Sequence, residues 1–473
     1  MSAFVIAVFF TVSASDVLGR GAPSGFADLA ERLLPAVVNI STVQIVERRT
    51  RKKQPGTPGD KRFEEFFEEF LDEDNPQDAP RRSVSLGSGF IIDSAGYVVT
   101  NDHVIGEADT ITVTLADGEQ FEATVVGRDA VEDVALLKID ANREFPTVKF
   151  GDSHVMRPGD WVMTIGNPFG FGGSVTVGIV SARHRNINAG VYDDFLQTDA
   201  SINRGNSGGP MFNLDGEVVG VNTMIFSPGG VGNIGIGFAI PAARVERIVG
   251  QLRAKGRVAR GWMGVGIQAL TEEIAESIGF DGTDGAIITS VQADGPSFKA
   301  GLEPGDIILE FGGKPVTTSA QLTRIVGDTP VGIKVPIKVW RAGKVVNLEL
   351  LTAERQFAAP VPASVTEPPR PPEPDPAGIV EGLVLRPLDE AARTRYEIPK
   401  EVNGVLIRRL AARSEAAQRG LRPGDVIAEV NLAPIKSAED FTKAVEKAKA
   451  AGRTSILLRI YRAGFVIIPL PLS

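Results

Sequence analysis

Residues 205–210 read Gly205-Asn206-Ser207-Gly208-Gly209-Pro210. A serine flanked by glycines lets the backbone turn tightly and bring its N–H groups close to a bound carbonyl. The same G-x-S-x-G pattern fits the nucleophile elbow of an α/β-hydrolase, so the turn alone leaves two frames open. Histidines decide between them. The chain has three, His103, His154 and His184, and all precede Ser207. An α/β-hydrolase needs the order serine, acid, histidine, which this chain cannot supply. Histidine, acid, serine is the chymotrypsin-type order.

His103 lies in Val98-Val99-Thr100-Asn101-Asp102-His103-Val104, at the end of an apolar strand. His154 and His184 lie in polar stretches and read as surface or satisfied core residues. For the acid, Asp133 in Glu132-Asp133-Val134-Ala135-Leu136-Leu137 immediately precedes an apolar strand that can bury its carboxylate against an imidazole. Asp102 is a rival, but neighbours on a strand point to opposite faces, so it is expected to face away from the His103 ring. Asp199 is a second rival, tied to the serine's own segment. In this arrangement His103 takes the Ser207 proton and Asp133 orients the imidazole. The N–H groups of Gly205 and Ser207, with Asn206 in the same turn, are expected to form the oxyanion hole.

The flanking sequence supports a β-rich frame. Residues from about 26 to 252 alternate apolar runs with glycine turns, as in Leu86 to Val99 and Ile111 to Leu115. This predicts an antiparallel β-barrel or sandwich. The remaining chain repeats itself. Gly301-Leu302-Glu303-Pro304-Gly305-Asp306 recurs as Gly420-Leu421-Arg422-Pro423-Gly424-Asp425, an offset of 119. An offset that long means duplicated domains, since solenoid repeats run about 20–50 residues. Between the copies, Pro360 to Pro376 holds eight prolines and reads as an extended spacer. The expected boundaries are a leader over 1–25, a catalytic domain over 26–252, a first repeat over 258–354, a spacer over 355–377 and a second repeat over 378–473.

Composition narrows the function. The chain has 473 residues, a net charge of −9 and no cysteine. The acidic balance argues against nucleic-acid binding. Without cysteine there is no disulfide scaffold, thiolate zinc site or cysteine nucleophile. No G-x-x-x-x-G-K-[ST] phosphate loop is present. The run Ala3 to Phe10 followed by Val12-Ser13-Ala14 reads as a secretory signal peptide, although no lysine or arginine precedes it. An insert over 44–83 carries Phe63, Phe66, Phe67, Phe70 and Leu71 at helical spacing. It reads as a helix packed on its own domain or as an arm that docks on another subunit.

Together, Thr100-Asn101-Asp102-His103-Val104, Asp133-Val134-Ala135-Leu136-Leu137 and Gly205-Asn206-Ser207-Gly208-Gly209 resemble the HtrA family. The two repeats look like PDZ domains, in the order of the Do-like (DegP/DegQ) members. The resemblance implies a mainly β fold, a chymotrypsin/trypsin-like double β-barrel followed by two PDZ domains, small β-barrels with helices. It implies an ATP-independent serine endopeptidase of the periplasm that degrades unfolded or misfolded proteins and needs neither cofactor nor metal. It further implies homotrimers that can assemble into larger cages, with no nucleic-acid partner and no required membrane contact. The insert resembles the family's LA loop, here without a cysteine pair.

By position, Ile202 and Ile225 match residues lining the S1 pocket, which favours valine, isoleucine or alanine at P1. Gly261-Trp262-Met263-Gly264-Val265 matches the loop by which a PDZ domain captures a C-terminal carboxylate. In the second repeat the matching loop is Gly382-Leu383-Val384-Leu385, which lacks the second glycine and serves either ligand capture or assembly. A holdase-type chaperone and a PDZ scaffold with an inert catalytic domain are the competing functions.

Overall fold

The computed structural model describes residues 23–46, 81–167, 173–203, 205–227, 232–356, 379–411 and 413–472. The apolar run near the N-terminus, the phenylalanine-rich insert and most of the proline-rich spacer lie outside the described residues. The chain forms two compact units. Among the described residues, the first holds those up to 187 and 194–257, and the second holds 188–193 and 258–472.

The first unit is two closed six-stranded barrels. β1 (Val37–Val46), β2 (Arg81–Asp93), β3 (Tyr97–Thr100), β4 (Thr110–Thr114), β5 (Gln120–Asp129) and β6 (Val134–Ile139) close in the order β1-β2-β3-β6-β5-β4. Val38, Ile40, Ile91, Val98, Leu137 and Ile139 fill the interior. Burying each such side chain contributes roughly 1.5–3 kcal/mol. β7 (Trp161–Gly166), β8 (Ser174–Arg185), β9 (Phe195–Thr198), β10 (Pro210–Phe212), β11 (Val218–Ile225) and β12 (Gly237–Pro241) close as β10-β11-β12-β9-β8-β7. Met156, Val162, Val180, Met211 and Val219 form the second interior.

His103 is not on a strand. Asp102–Ile105 forms a short helix, α1, whose Val104 and Ile105 are buried. A longer helix, α2 (Ala242–Lys255), follows β12 and buries Ala242, Val245, Ile248, Val249 and Leu252 at helical spacing. It packs on β5, β6 and β11.

The second unit holds two sheets built on one plan. The first joins β14 (Val265–Ala269), β15 (Ala286–Val291), β16 (Ile307–Phe311), β18 (Lys334–Arg341) and β19 (Lys344–Leu351), with β17 (Lys314–Pro315) beside β16. A separate pair, β13 (Gly261–Trp262) with β20 (Ala353–Glu354), lies outside that sheet. The second sheet joins β21 (Ile379–Val380), β22 (Leu383–Pro387), β23 (Val405–Leu410), β24 (Val426–Val430), β26 (Ser455–Tyr461) and β27 (Phe465–Pro471), with β25 (Ala433–Pro434) beside β24. Ahead of β15 comes α3 (Glu272–Ile278). α4 (Ser319–Asp328) and α5 (Ala438–Ala450) occupy equivalent places in the two copies. The copies pack together: Ile274, Ile287 and Ile307 share one apolar cluster with Leu457 and Ile467. Gln268 Nε2 donates to the Ile467 carbonyl at 2.9 Å, and the Ile467 N–H donates to Gln268 Oε1 at 3.0 Å.

The repeated motif earns its recurrence through an arginine. Arg341 grips Asp306 through Nε at 2.6 Å and Nη2 at 2.7 Å, and Nη2 also donates to the Gly301 carbonyl at 2.7 Å. Arg462 does the same to Asp425, at 2.7 and 2.5 Å, and to the Gly420 carbonyl at 2.7 Å. Both aspartates are buried. A planar guanidinium facing a carboxylate makes two parallel charge-assisted bonds, so this pair locks the Gly-Leu-x-Pro-Gly-Asp turn to the next hairpin.

Candidate active site

Both oxygens of Asp133 face His103. Oδ2 lies 2.7 Å from His103 Nδ1, and Oδ1 accepts the His103 backbone N–H at 2.9 Å. The two side chains are 8% and 17% exposed, so the pair is largely shielded from water. Asp133 sits at φ +57° at the end of the turn into β6. That turn is held from two sides. Asn101 Nδ2 donates to the Asp133 carbonyl at 2.7 Å. On the other side, the buried Glu132 carboxylate is paired with Arg244 of α2. An acceptor on Nδ1 selects the tautomer that carries its proton there, which leaves Nε2 as a lone-pair acceptor.

Asp102 faces away from the ring, as expected, but the reason is helical and not strand alternation. Its carboxylate meets Arg128, with Nε–Oδ1 2.6 Å and Nη2–Oδ2 3.1 Å. Arg128 Nη1 also donates to the Gly106 carbonyl at 2.7 Å, just past the end of α1. The arginine therefore clamps both ends of the short helix that carries His103. Burial pushes the Asp102 carboxyl above its ordinary range; the Arg128 bonds pull it back and the nearby Asp133 charge adds to the rise.

Ser207 is presented from the second barrel and locked to the first. The Ser88 N–H of β2 donates to the Ser207 carbonyl at 2.9 Å, and Ser88 Oγ donates to the Gly205 carbonyl at 2.5 Å. Gly208 has φ +82°, and a Cβ there would lie 2.3 Å from the Ser88 carbonyl and from Thr100 Oγ1. Only glycine lets the serine turn approach the strand leading to His103 this closely. Ser207 Oγ donates to the Thr223 carbonyl at 3.2 Å, and Asn101 Nδ2 lies 3.3 Å from Thr223 Oγ1. Thr223 and Asn101 thus tie the serine to the Asp133 turn. Sequence reasoning missed both, along with Ser88 and Arg128, because each acts through backbone groups or a partner distant in sequence.

The N–H groups of the turn divide. Asn206 donates to the Asn203 carbonyl at 3.0 Å, Gly208 to Asn222 at 2.7 Å and Gly209 to Asn206 at 3.0 Å. Among the described residues, nothing takes the N–H of Gly205 or Ser207. Asn206 therefore offers no oxyanion donor from its backbone; its buried side chain packs against Gly166.

Ile202 is buried, and its side chain fills the space a Cβ on Gly237 would need, at 2.7 Å. Gly237 pairs with Ile225 across β11 and β12, so the three residues meet at one place. The other candidates are engaged elsewhere. His184 Nδ1 lies 2.8 Å from Asp194 Oδ1 on an exposed edge. His154 is exposed. Asp199 Oδ1 accepts the Ile179 N–H at 2.7 Å.

In the first repeat the carbonyls of Met263 and Gly264 accept from Ser297 and Gln292, both at 2.9 Å. Met263 is buried, and β14 is the edge strand of its sheet. In the second repeat the structure corrects the expected register. Val265 pairs with Val291 as Leu383 pairs with Leu410, so Gly382 occupies the place of Gly264 and not of Gly261. Their φ values are +76° and +78°. The copies are spaced one residue closer here than at the Pro-Gly-Asp motif, which a single offset conceals. The second glycine is therefore present, and the residue in the place of Met263 is Glu381.

Comparison with known proteins agrees with this geometry. Residues 87–221 match the trypsin-like peptidase domain model and 261–352 match the PDZ domain model. The chain is 41% identical to a probable periplasmic serine endoprotease DegP-like of Brucella suis biovar 1 (strain 1330), over 94% of this chain and 90% of the relative. The chain belongs to the HtrA family. A second relative, the probable periplasmic serine endoprotease DegP-like of Rhizobium meliloti (strain 1021), is 40% identical over 95% of this chain and 92% of its own length. Among solved structures, the HtrA-type protease AlgW with decapeptide is 38% identical with a TM-score of 0.58, over 71% of this chain and all of that one. AlgW with tripeptide gives 0.59 at the same identity, over 71% of this chain and 98% of that one. This HtrA chain is a serine endopeptidase with a trypsin-like domain and a PDZ domain.

Proposed function

We propose that Ser207 is the nucleophile, His103 the general base and Asp133 the group that orients it. The observation that carries this is the double contact of Asp133 on His103, which makes Nε2 the proton-accepting nitrogen of the ring. The Ser207 hydroxyl turns from the Thr223 carbonyl toward Nε2 and gives up its proton as its oxygen attacks the scissile carbonyl. The N–H groups of Gly205 and Ser207 receive the developing oxyanion, each such donor being worth about 10²–10³ in rate. The imidazolium then protonates the leaving amine, and water hydrolyses the acyl-enzyme by the same route. Ile202 and Ile225 make S1 apolar and shallow, so cleavage follows valine, isoleucine or alanine.

The protein is of the Do type. It acts on unfolded or misfolded proteins in the periplasm, without ATP, after export by its N-terminal leader. Its parts are the protease domain over 26–252, PDZ domains over 258–354 and 378–473 and a spacer over 355–377. The shared Arg–Asp lock and strand order of the two sheets support the second PDZ domain. Trimers built through the protease domain, with larger cages, hold unfolded clients and lend the protein a chaperone activity.

Casein cleavage by the wild-type protein and by Ser207→Ala tests the central claim, together with fluorophosphonate labelling. Labelling at Ser207 and a silent variant are expected; equal cleavage by both proteins sinks the assignment. Ser207→Ala is also expected to suppress aggregation of a denatured client.

A further inference from the structure

We infer that the second repeat is closed to chain ends by its own hairpin, so that only the first repeat reads a C-terminal carboxylate. The inference rests on the reading of both repeats as PDZ domains. A peptide ligand of such a domain adds as a strand to an exposed sheet edge. In the first repeat that edge is open, for β14 ends the sheet and β13 turns away to pair with β20. In the second, the equivalent edge is occupied. β21 pairs with β22, Ile379 with Val384 and Val380 with Leu383, directly beside the loop that would hold the carboxylate.

The turn between them explains the difference. Glu381 and Gly382 both have positive φ, +50° and +76°. Two successive positive φ values make the tight two-residue turn that folds a chain back on itself as a hairpin. In the first repeat Met263 is absent from the residues with positive φ, and only Gly264 has it. A left-handed glutamate is strained, so something must hold it there. Glu381 Oε1 lies 2.7 Å from Lys449 Nζ, and the glutamate side chain is only 7% exposed. Lys449 stands in the last turn of α5, where the cation also complements the helix carbonyls. The matching helix end in the first repeat carries no basic residue, and it abuts the loop directly: a Cβ on Gly261 would meet the Val326 and Thr329 carbonyls. The second repeat therefore places its own carboxylate and its own strand where a ligand would bring both.

The test counts sites by isothermal titration calorimetry on the full chain carrying Ser207→Ala. The probes are a decapeptide ending in a valine carboxylate and the same peptide as its C-terminal amide. One site per chain is expected, with the amide at least about tenfold weaker because a charge-assisted bond is lost. Met263→Glu should remove that site. Val380→Pro combined with Lys449→Ala should raise the count to two. Two sites in the parent protein, or a site that survives Met263→Glu, overturns the closure alone. A count that stays at one in the opened variant, with an unchanged melting curve, overturns it too. No site at all overturns the peptide-binding reading of the first repeat and this inference with it.

Discussion

The barrels and the repeats both bury aspartates against cationic or ionisable partners, and they use them differently. In the repeats the pair appears twice with the same partners: Asp306 with Arg341, Asp425 with Arg462. In the barrels two histidine–aspartate pairs occur among the described residues: His103–Asp133 is shielded from water, whereas His184–Asp194 lies on an exposed edge. Arginine cannot release its proton at any pH the protein meets, so its pair can only hold a turn. A neutral imidazole has one nitrogen that donates and one that accepts, so its pair is suited to proton transfer. The repeats share the pair that holds their turn, whereas His103–Asp133 follows the Thr100–Asn101 segment that meets the serine turn of the second barrel. Within the repeats the same lesson applies in reverse. Where the copies differ, at Met263 and Glu381, their edges differ as well.

The comparison can be broken most forcefully at Asp133. Asp133→Asn keeps the shape and tolerates the positive φ, yet it favours the wrong imidazole tautomer. We expect kcat to fall by about 10⁴, with the melting curve nearly unchanged. A comparable fall in stability would make Asp133 a structural residue like Asp306. The repeats should behave in the opposite way. Arg341→Met and Arg462→Met each leave a buried carboxylate without its arginine, and each should cost about 3 kcal/mol of its own repeat's stability. Thermal unfolding in a Ser207→Ala background reads this. A cost confined to one repeat would show that the two locks are not equivalent.

The smallest effect separates the repeats by pH. At the start of α5, Ser437 and Asp440 form a capping box, and the Asp440 carboxylate accepts the N–H groups of Lys436 at 2.9 Å and Ser437 at 3.1 Å. At the start of α4 the neutral Gln321 takes that part, accepting from Thr317 at 2.7 Å. The backbone N–H of Lys436 is the main cause that holds the Asp440 carboxyl below its ordinary range. Its folded value is lowered, so its stabilising contribution is complete above the unfolded value and is lost as pH falls through the folded one. The difference in melting temperature between wild type and Asp440→Asn should be present near neutrality and vanish in acid. A difference that persists in acid would show that the cap does not depend on charge.

Much of the site was legible because its chemistry is tied to residue type. Three histidines, a serine in a Gly-Asn-Ser-Gly-Gly turn and an aspartate before an apolar strand leave few combinations. The order along the chain excludes the competing fold. The duplication was equally plain, because a buried Arg–Asp lock tolerates little change. Illegible were the groups that act through backbone atoms. Ser88 and Thr223 tie the serine turn through carbonyl and N–H groups, and any sequence has those everywhere. Arg128 was hidden for a different reason, since nothing local ties it to Asp102 across the barrel. The loop of the second repeat is illegible for another reason: its single glycine can be set against Gly261 or Gly264, and only the strand pairing chooses Gly264.

By itself, then, the sequence determined the kind of chemistry, the barrel frame and the presence of two copies. Those follow from side-chain identity, apolar periodicity and repetition, which are local or additive along the chain. Folding settled how Asp133 is held against the imidazole, that the Asn206 N–H is taken within its own turn and which repeat keeps an open edge. Those depend on hydrogen-bond partners brought together by folding, and a hydrogen bond is specified by position to within a fraction of an ångström.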